Sequence, residues 1–329
     1  MFSSTQIQTF KNTIDAYQTF GVCTHVDPDG DAIGSALWLG EWLKKQGKHI
    51  EYFVPNPLPE TLTFLPATKQ FEHHITSTHL EKIDCRISVD TATKSRSNLS
   101  AIQTSRPIVH IDHHPPRELW GDIHLVDDGV SSCAELVFQL ISAIDETAID
   151  ASIATALLMG ISTDTGHFTR GNDLTQSLHA AHQLMALGGD MPLIIDRIYH
   201  TATLHDLRII GTWLANVQQH DQFIRAYIDD PESTAVSDHT VKRFLSLLQN
   251  MAYDGVIVLC ISYPHAATPS IKCSLRTNNP LLDVAKLASE FGGGGHRAAA
   301  AFRTTAFDDI ASEVEKIKKM YQQILTKKV

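Results

Sequence analysis

Through the first half of the chain, short apolar runs alternate with longer stretches whose apolar positions recur every three or four residues. Residues 21–24, 50–54, 86–89 and 108–111 have the length and branched side chains of buried strands. After the first of these, Ile33, Ala36, Leu37, Gly40 and Leu43 mark one face of a helix that opens near Ala32 and is stopped by Gly47. Helical patterns return over 132–144 and 151–161. Strands alternating with helices predict an α/β domain built on a mostly parallel sheet flanked by helices.

Residues 196–216 read as a helix and predict a linker, which divides the chain into a first domain over 1–195 and a second over 217–329. The second half has a different grammar. Strands are expected over 223–228, 255–263 and 270–276, with helices near 241–250 and 283–291. A last helix over 307–327 repeats Phe307, Ile310, Val314, Ile317, Tyr321 and Ile324, with its acids early and its lysines late, as the helix dipole prefers. The expected result is a smaller α/β domain closing over the first, with the active site in the cleft between them.

Composition narrows the class. A chain of 329 residues, 43% hydrophobic and 19% charged, has material for two packed cores. Its N-terminal residues lack the basic start and apolar core of a secretory signal, and no apolar run reaches bilayer length. The five cysteines are scattered without a C-x-x-C pair, which argues against a zinc ribbon or a disulfide framework. A cytoplasmic protein with no membrane association is expected. The net charge of −10 disfavours a grip on long nucleic acid, duplex above all, because phosphate contacts dominate that affinity. Small phosphorylated substrates fit better.

The chemistry concentrates at segment ends. His25-Val26-Asp27-Pro28-Asp29-Gly30-Asp31 follows one strand, Asp90 ends another, Asp112-His113-His114 ends a third, and Asp164 closes a helix. The Asp-x-Asp-x-Asp spacing is not a calcium loop, since Ala32 and Trp38 stand where an EF-hand needs Gly and Glu. In an open α/β sheet the strand ends converge on one crevice. Carboxylates and imidazoles gathered there suit a pair of divalent metals that activate water for in-line attack on phosphorus. Imidazole beside several carboxylates favours Mn²⁺ over Mg²⁺. In the second half, Gly292-Gly293-Gly294-Gly295 would let backbone N–H groups approach a phosphate, with His296, Arg297, Lys272 and Arg276 as cationic donors nearby.

His25-x-x-Pro28-Asp29-x-Asp31-x-x-Gly34-Ser35, Asp90, Asp112-His113-His114 and Asp164-Thr165-Gly166 resemble the four motifs of the DHH phosphoesterases. Ser274-x-Arg276 and Gly292-Gly293-Gly294-Gly295-His296 resemble the marks of the DHH-associated substrate domain, and the compact form is similar to the nano-RNase and pAp phosphatase branch. The resemblance implies two Mn²⁺ ions, with Mg²⁺ or Co²⁺ as substitutes. One would be held by His25, Asp29 and Asp90, the other by Asp31, Asp90, His113 and Asp164. It further implies that His114 faces the scissile phosphate and Asp112 supports the histidines. Ser274, Arg276, His296 and the loop Gly293-Gly294-Gly295 would bind the rest of the substrate. The implied substrates are short single-stranded oligoribonucleotides, dinucleotides and pAp, with a homodimer left open. Ala301 departs from the branch, which often carries glycine there, and puts fine specificity in question.

The main alternative is a soluble phosphodiesterase acting on cyclic di-AMP or the linear dinucleotide pApA. A pyrophosphatase would lack the glycine-rich second domain. A RecJ-like exonuclease would need further domains and a more basic channel. A non-catalytic regulator would not need every metal ligand.

Overall fold

The computed structural model describes residues 2–73, 77–97, 106–115, 119–145, 149–229, 236–305, 307 and 309–326. The chain divides into two compact units, Met1–Thr201 and Ala202–Val329.

In the first unit, β1 (Thr19–Cys23), β2 (His49–Phe53), β3 (Phe71–Glu72), β4 (Cys85–Val89), β5 (Ile108–Asp112) and β6 (Ile123–Val126) form one sheet in the order β3-β2-β1-β4-β5-β6. Every neighbouring pair is parallel, as the alternating pattern predicts. The strand order reverses between β1 and β4, so the crevice for a ligand lies beyond their carboxyl ends. The helices are α1 (Ser4–Ala16), α2 (Gly30–Lys45), α3 (Ser77–Glu81), α4 (Cys133–Ser142), α5 (Ala151–Asp164), α6 (Leu174–Ala186) and α7 (Met191–Ile194). One apolar cluster runs through this unit, from Phe10 and Trp38 through Ile87 and Ile111 to Leu157.

Several elements were not read from the pattern. Helix α1 carries a local signal, because Ser3 caps it and Gln6 bonds back to the Ser3 N–H, the reciprocal capping box. Strands β3 and β6 are short edges whose place is fixed by pairing with β2 and β5.

In the second unit, α8 (Leu204–Ala215) occupies much of the segment expected as a linker, and Ile210 packs with Ile224, Phe244 and Ile257. The remaining elements are β7 (Gln218–His220), β8 (Phe223–Asp229), α9 (Asp238–Gln249), β9 (Val256–Tyr263), β10 (Ser270–Thr277), α10 (Val284–Ser289), β11 (Gly294–His296), β12 (Ala299–Thr304) and α11 (Ile310–Thr326). Their sheet runs β11-β12-β10-β9-β8-β7, antiparallel except for the β8–β9 pair. Among the described residues no helix is long and apolar enough to cross a membrane.

Candidate metal centre

Helices α2 and α5 approach backbone to backbone through small residues. A Cβ on Gly34 would overlap the Ala156 carbonyl oxygen, and one on Gly30 would run into the Thr163 side chain. One on Gly160 would stand 3.0 Å from Asp31 Oδ1 and 2.6 Å from the Ala134 methyl. This crossing brings Asp31, in the first turn of α2, together with Asp164, the last residue of α5.

Asp29 caps α2, its Oδ1 accepting the Asp31 and Ala32 N–H groups at 3.0 and 3.1 Å. The Asp31 carboxylate is buried and accepts the Cys133 and Ala134 N–H groups at 2.7 and 2.8 Å, so the N-terminus of α4 fixes its orientation. Asp90 follows β4 with a left-handed φ of 52°, an uncommon backbone conformation for a residue other than glycine. Asp112 ends β5 and carries His113 and His114 with it.

These side chains meet in three overlapping groups whose ligand atoms lie within 4.8 Å of one another. The groups are His25, Asp29 and Asp90; Asp31, His113 and Asp164; and Asp90, Asp112, His113 and His114. Asp90 is common to the first and third. Its Oδ2 lies 3.4 Å from His25 Nε2, and its Oδ1 lies 3.5 Å from His113 Nε2 and 3.5 Å from His114 Nδ1. His113 Nε2 stands 3.4 Å from Asp164 Oδ2 and 3.8 Å from Asp31 Oδ2. Asp27, by contrast, turns to Asn56, whose amide donates to it at 2.9 Å.

The donor set fits divalent cations. His25 Nδ1 lies 2.7 Å from the Val26 carbonyl, a pure acceptor, which places a proton on Nδ1 and turns Nε2 toward Asp90. Between Nε2 and this buried carboxylate there must be a positive charge, a proton in the metal-free site or a divalent ion in its place. Asp90 Oδ1 is buried and accepts no hydrogen bond among the described residues, as suits a ligand of a cation.

The electrostatics of the cluster point the same way. Burial alone would lower His25 and His113. The carboxylate of Asp90, with Asp29 near the first and Asp164 and Asp31 near the second, instead lifts them to about 9 and about 10. Burial pushes Asp31 well above the usual carboxylate range, reinforced by Asp90 and Asp164. Asp164 rises to about 6, by burial first and then by its acidic neighbours. Asp90 goes the other way: burial opposes its ionisation, but the imidazoles of His113 and His25 hold it well below the ordinary value. A site that draws protons onto its imidazoles and carboxylates in this way is short of positive charge.

Behind the cluster, Asp112 Oδ1 accepts from His114 Nδ1 at 2.7 Å, while its Oδ2 lies 3.3 Å from His110 Nε2. Burial would raise Asp112, but His110 and His114 bring it down to about 2. His110 is buried, lies 3.0 Å from the Thr91 carbonyl through Nε2, and packs on Trp120. The sequence reading missed His110. The available signal was its place two residues before Asp112 on a strand, which puts both side chains on one face. It also missed the N–H groups of Cys133 and Ala134, which no side-chain pattern announces.

In the second unit, Arg276 pairs with Ala299 and Ala299 with His296, while Ser274 pairs with Ala301 and Ala301 with Gly294. The residues expected to contact substrate therefore form two neighbouring rows across β10, β12 and β11. Arg276 Nη1 donates to the Leu275 carbonyl at 2.9 Å and lies 3.4 Å from that of Ala300. The His296 side chain lies outside the described part of the structure. Gly293 and Gly295 have a packing reason for being glycine: a Cβ on either would overlap a β12 carbonyl, of Ala301 and Ala299 respectively.

Residues 19–161 match the DHH family, N-terminal domain, and residues 220–327 match the DHHA1 domain. The chain is 30% identical over 290 residues to the bifunctional oligoribonuclease and PAP phosphatase NrnA of Thermus thermophilus, covering 87% of this chain and 84% of that one. The Bacillus subtilis protein of the same name is 24% identical, with 90% and 93% covered. Among solved structures, an exopolyphosphatase-related protein from Bacteroides fragilis superposes with a TM-score of 0.88 at 24% identity, covering 98% of this chain and 96% of that one, and so shares the fold.

Proposed function

This chain belongs to the DHH family of phosphoesterases, and from that premise we propose that it hydrolyses short oligoribonucleotides to mononucleotides and removes the 3′-phosphate of pAp to give AMP, with Mn²⁺ as its metal. The observation that carries the reading is the convergence of His25, Asp29, Asp31, Asp90, His113 and Asp164 beyond the ends of β1, β4 and β5. The names of the two relatives support the substrate class. The mixture of imidazole and carboxylate supports manganese.

Two divalent cations bound here would supply the chemistry of activating a water at neutral pH and offsetting charge on the phosphoryl oxygens. His25, Asp29 and Asp90 would hold one, and Asp31, Asp90, His113 and Asp164 the other. Asp90 lies between the His25 and His113 imidazoles and would belong to both sets. Asp31 is oriented by α4 and Asp29 by the first turn of α2, so neither has to be ordered when metal arrives. His114, with its Nδ1 proton fixed on Asp112, would present Nε2 to the leaving 3′-oxygen. In the second unit, the rows containing Arg276, Ser274 and His296 would bind the part of the substrate that is not cleaved, with Gly293, Gly294 and Gly295 beside them.

Purified protein tested with Mn²⁺ against pAp, a set of two- to five-residue oligoribonucleotides, pApA, cyclic di-AMP and pyrophosphate decides the matter. Turnover of pAp and the short oligomers, abolished by chelator and restored by Mn²⁺, is the expected result. Turnover confined to cyclic di-AMP and pApA, or to pyrophosphate, overturns the substrate assignment. Full turnover in chelator overturns the metal assignment.

A further inference from the structure

Arg96 belongs to the helical turn Lys94–Ser97 that follows Asp90. Its carbonyl accepts the Val26 N–H at 2.8 Å, which fastens this turn to the segment carrying His25. Its Nη2 stands 3.3 Å from His25 Nδ1. Nδ1 has one proton to give, and the Val26 carbonyl at 2.7 Å claims it, so the guanidinium donors are not consumed by the imidazole. Arg96 is exposed, and no ion pair joins it to a carboxylate among the described residues. A guanidinium therefore rests against the Nδ1 side of a candidate metal ligand, whose Nε2 faces Asp90.

The charge of the cluster says what those donors are for. Asp29, Asp31, Asp90 and Asp164 together carry a charge that two divalent cations would cancel. The attacking hydroxide and a phosphodiester each add one negative charge beyond that balance; as the bond from hydroxide to phosphorus forms, the non-bridging oxygens share that added charge, while the 3′-oxygen takes the electron pair of the bond that breaks. The planar guanidinium fork of Arg96 matches two phosphoryl oxygens.

Taking the phosphoesterase reading above as its basis, we propose that Arg96 receives the non-bridging oxygens of the phosphoryl group undergoing hydrolysis. Its contribution is then larger in the transition state than in the bound substrate, and its loss falls mainly on kcat.

The test uses the full chain as Arg96→Gln, Arg96→Lys and Arg96→Ala, with three measurements on each: Mn²⁺ uptake by the apoprotein, calorimetric binding of inorganic phosphate to the Mn²⁺-loaded protein, and kcat and KM for pAp and a dinucleotide. For Arg96→Gln we expect unchanged Mn²⁺ uptake, phosphate binding weakened about tenfold, and kcat lowered by about 10²-fold. Arg96→Lys, which keeps the charge but not the fork, should fall between. Added guanidinium ion should restore part of the rate lost in Arg96→Ala. Mn²⁺ uptake that falls in step with the rate would mean that Arg96 only holds His25 in place, and would overturn the proposal. So would phosphate binding and kcat in Arg96→Gln both within about threefold of the parent, against the losses expected here. A parent protein that hydrolyses none of these phosphoesters removes the reading underneath, whereas an active parent with an indifferent Arg96→Gln removes this inference alone.

Discussion

Gly34 of α2 faces the carbonyl of Ala156 in α5 so closely that a methyl group on Gly34 would overlap it and lie 3.3 Å from the Gly160 nitrogen. The two helices meet at this point, and the candidate metal cluster is assembled at the end of the same crossing, where Asp31 and Asp164 face His113.

Gly34→Ala should therefore lower stability by about 1–3 kcal/mol, the usual range for overpacking, and weaken Mn²⁺ uptake because Asp31 lies one turn away. Gly211 is the opposite case. It lies on the exposed side of α8, where an added Cβ meets nothing within 4 Å. Gly211→Ala should raise stability by about 0.5–1 kcal/mol. Denaturant unfolding of the two variants beside the parent checks both signs, and a Gly34→Ala protein as stable as the parent would contradict the tight crossing.

Asp90→Asn keeps the shape of the proposed bridge and removes the charge shared by both metals. Turnover should drop on the order of 10³-fold, with Mn²⁺ stoichiometry falling alongside. Retention of more than about a tenth of the activity would show that Asp90 does not bridge the metals.

Without metal, His25 at about 9 and His113 at about 10 are both protonated at pH 7, since each lies above the ordinary imidazole value of 6.5. Ligation must displace those protons. Calorimetric titration of the apoprotein with Mn²⁺ in buffers of different ionisation enthalpy should register proton release at pH 7, and apparent affinity should rise with pH toward the upper value. The same shifts give a sign for folding. A raised folded-state value stabilises the apoprotein fully below the unfolded value and loses that contribution as pH climbs through the folded one. Apoprotein stability should thus decline between about pH 6.5 and pH 10, while the Mn²⁺-loaded protein, whose cations take the place of those protons, should show little of this decline. Equal pH profiles for the two forms would count against the assignment.

Arg276→Ala should raise KM for pAp and short oligomers by roughly 10–100-fold, leaving Mn²⁺ content unchanged and hydrolysis of bis-p-nitrophenyl phosphate intact. Arg276 also bonds the Leu275 carbonyl, so unfolding of this variant should be followed in parallel. Equal loss of the generic ester and of pAp hydrolysis would remove Arg276 from the substrate site.

Much of the candidate site was legible because its residues end regular elements. Apolar runs locate β1, β4 and β5, and the polar residues after them stand out against those runs: His25, Asp29, Asp90 and Asp112-His113-His114 are all of this kind. Helix α1 escaped notice despite its capping box, and β11 and β12 escaped because glycine and alanine have weak strand preference and take their place from pairing with β10. Arg96 escaped for a different reason. It sits in a polar run, Lys94-Ser95-Arg96-Ser97, that looks like any solvated turn, and nothing local ties it to a histidine 71 positions earlier.

By itself, the sequence determined the α/β class, the strand ends that carry acids and imidazoles, and thus the metal chemistry, since hydrophobic periodicity and residue type are local properties. Only the tertiary structure decided which N–H groups hold Asp31, why Gly34 and Gly160 have no side chain, and that Arg96 stands beside His25. Those are relations between segments far apart in the chain, set by how closely α2 and α5 pack and by which strands lie side by side.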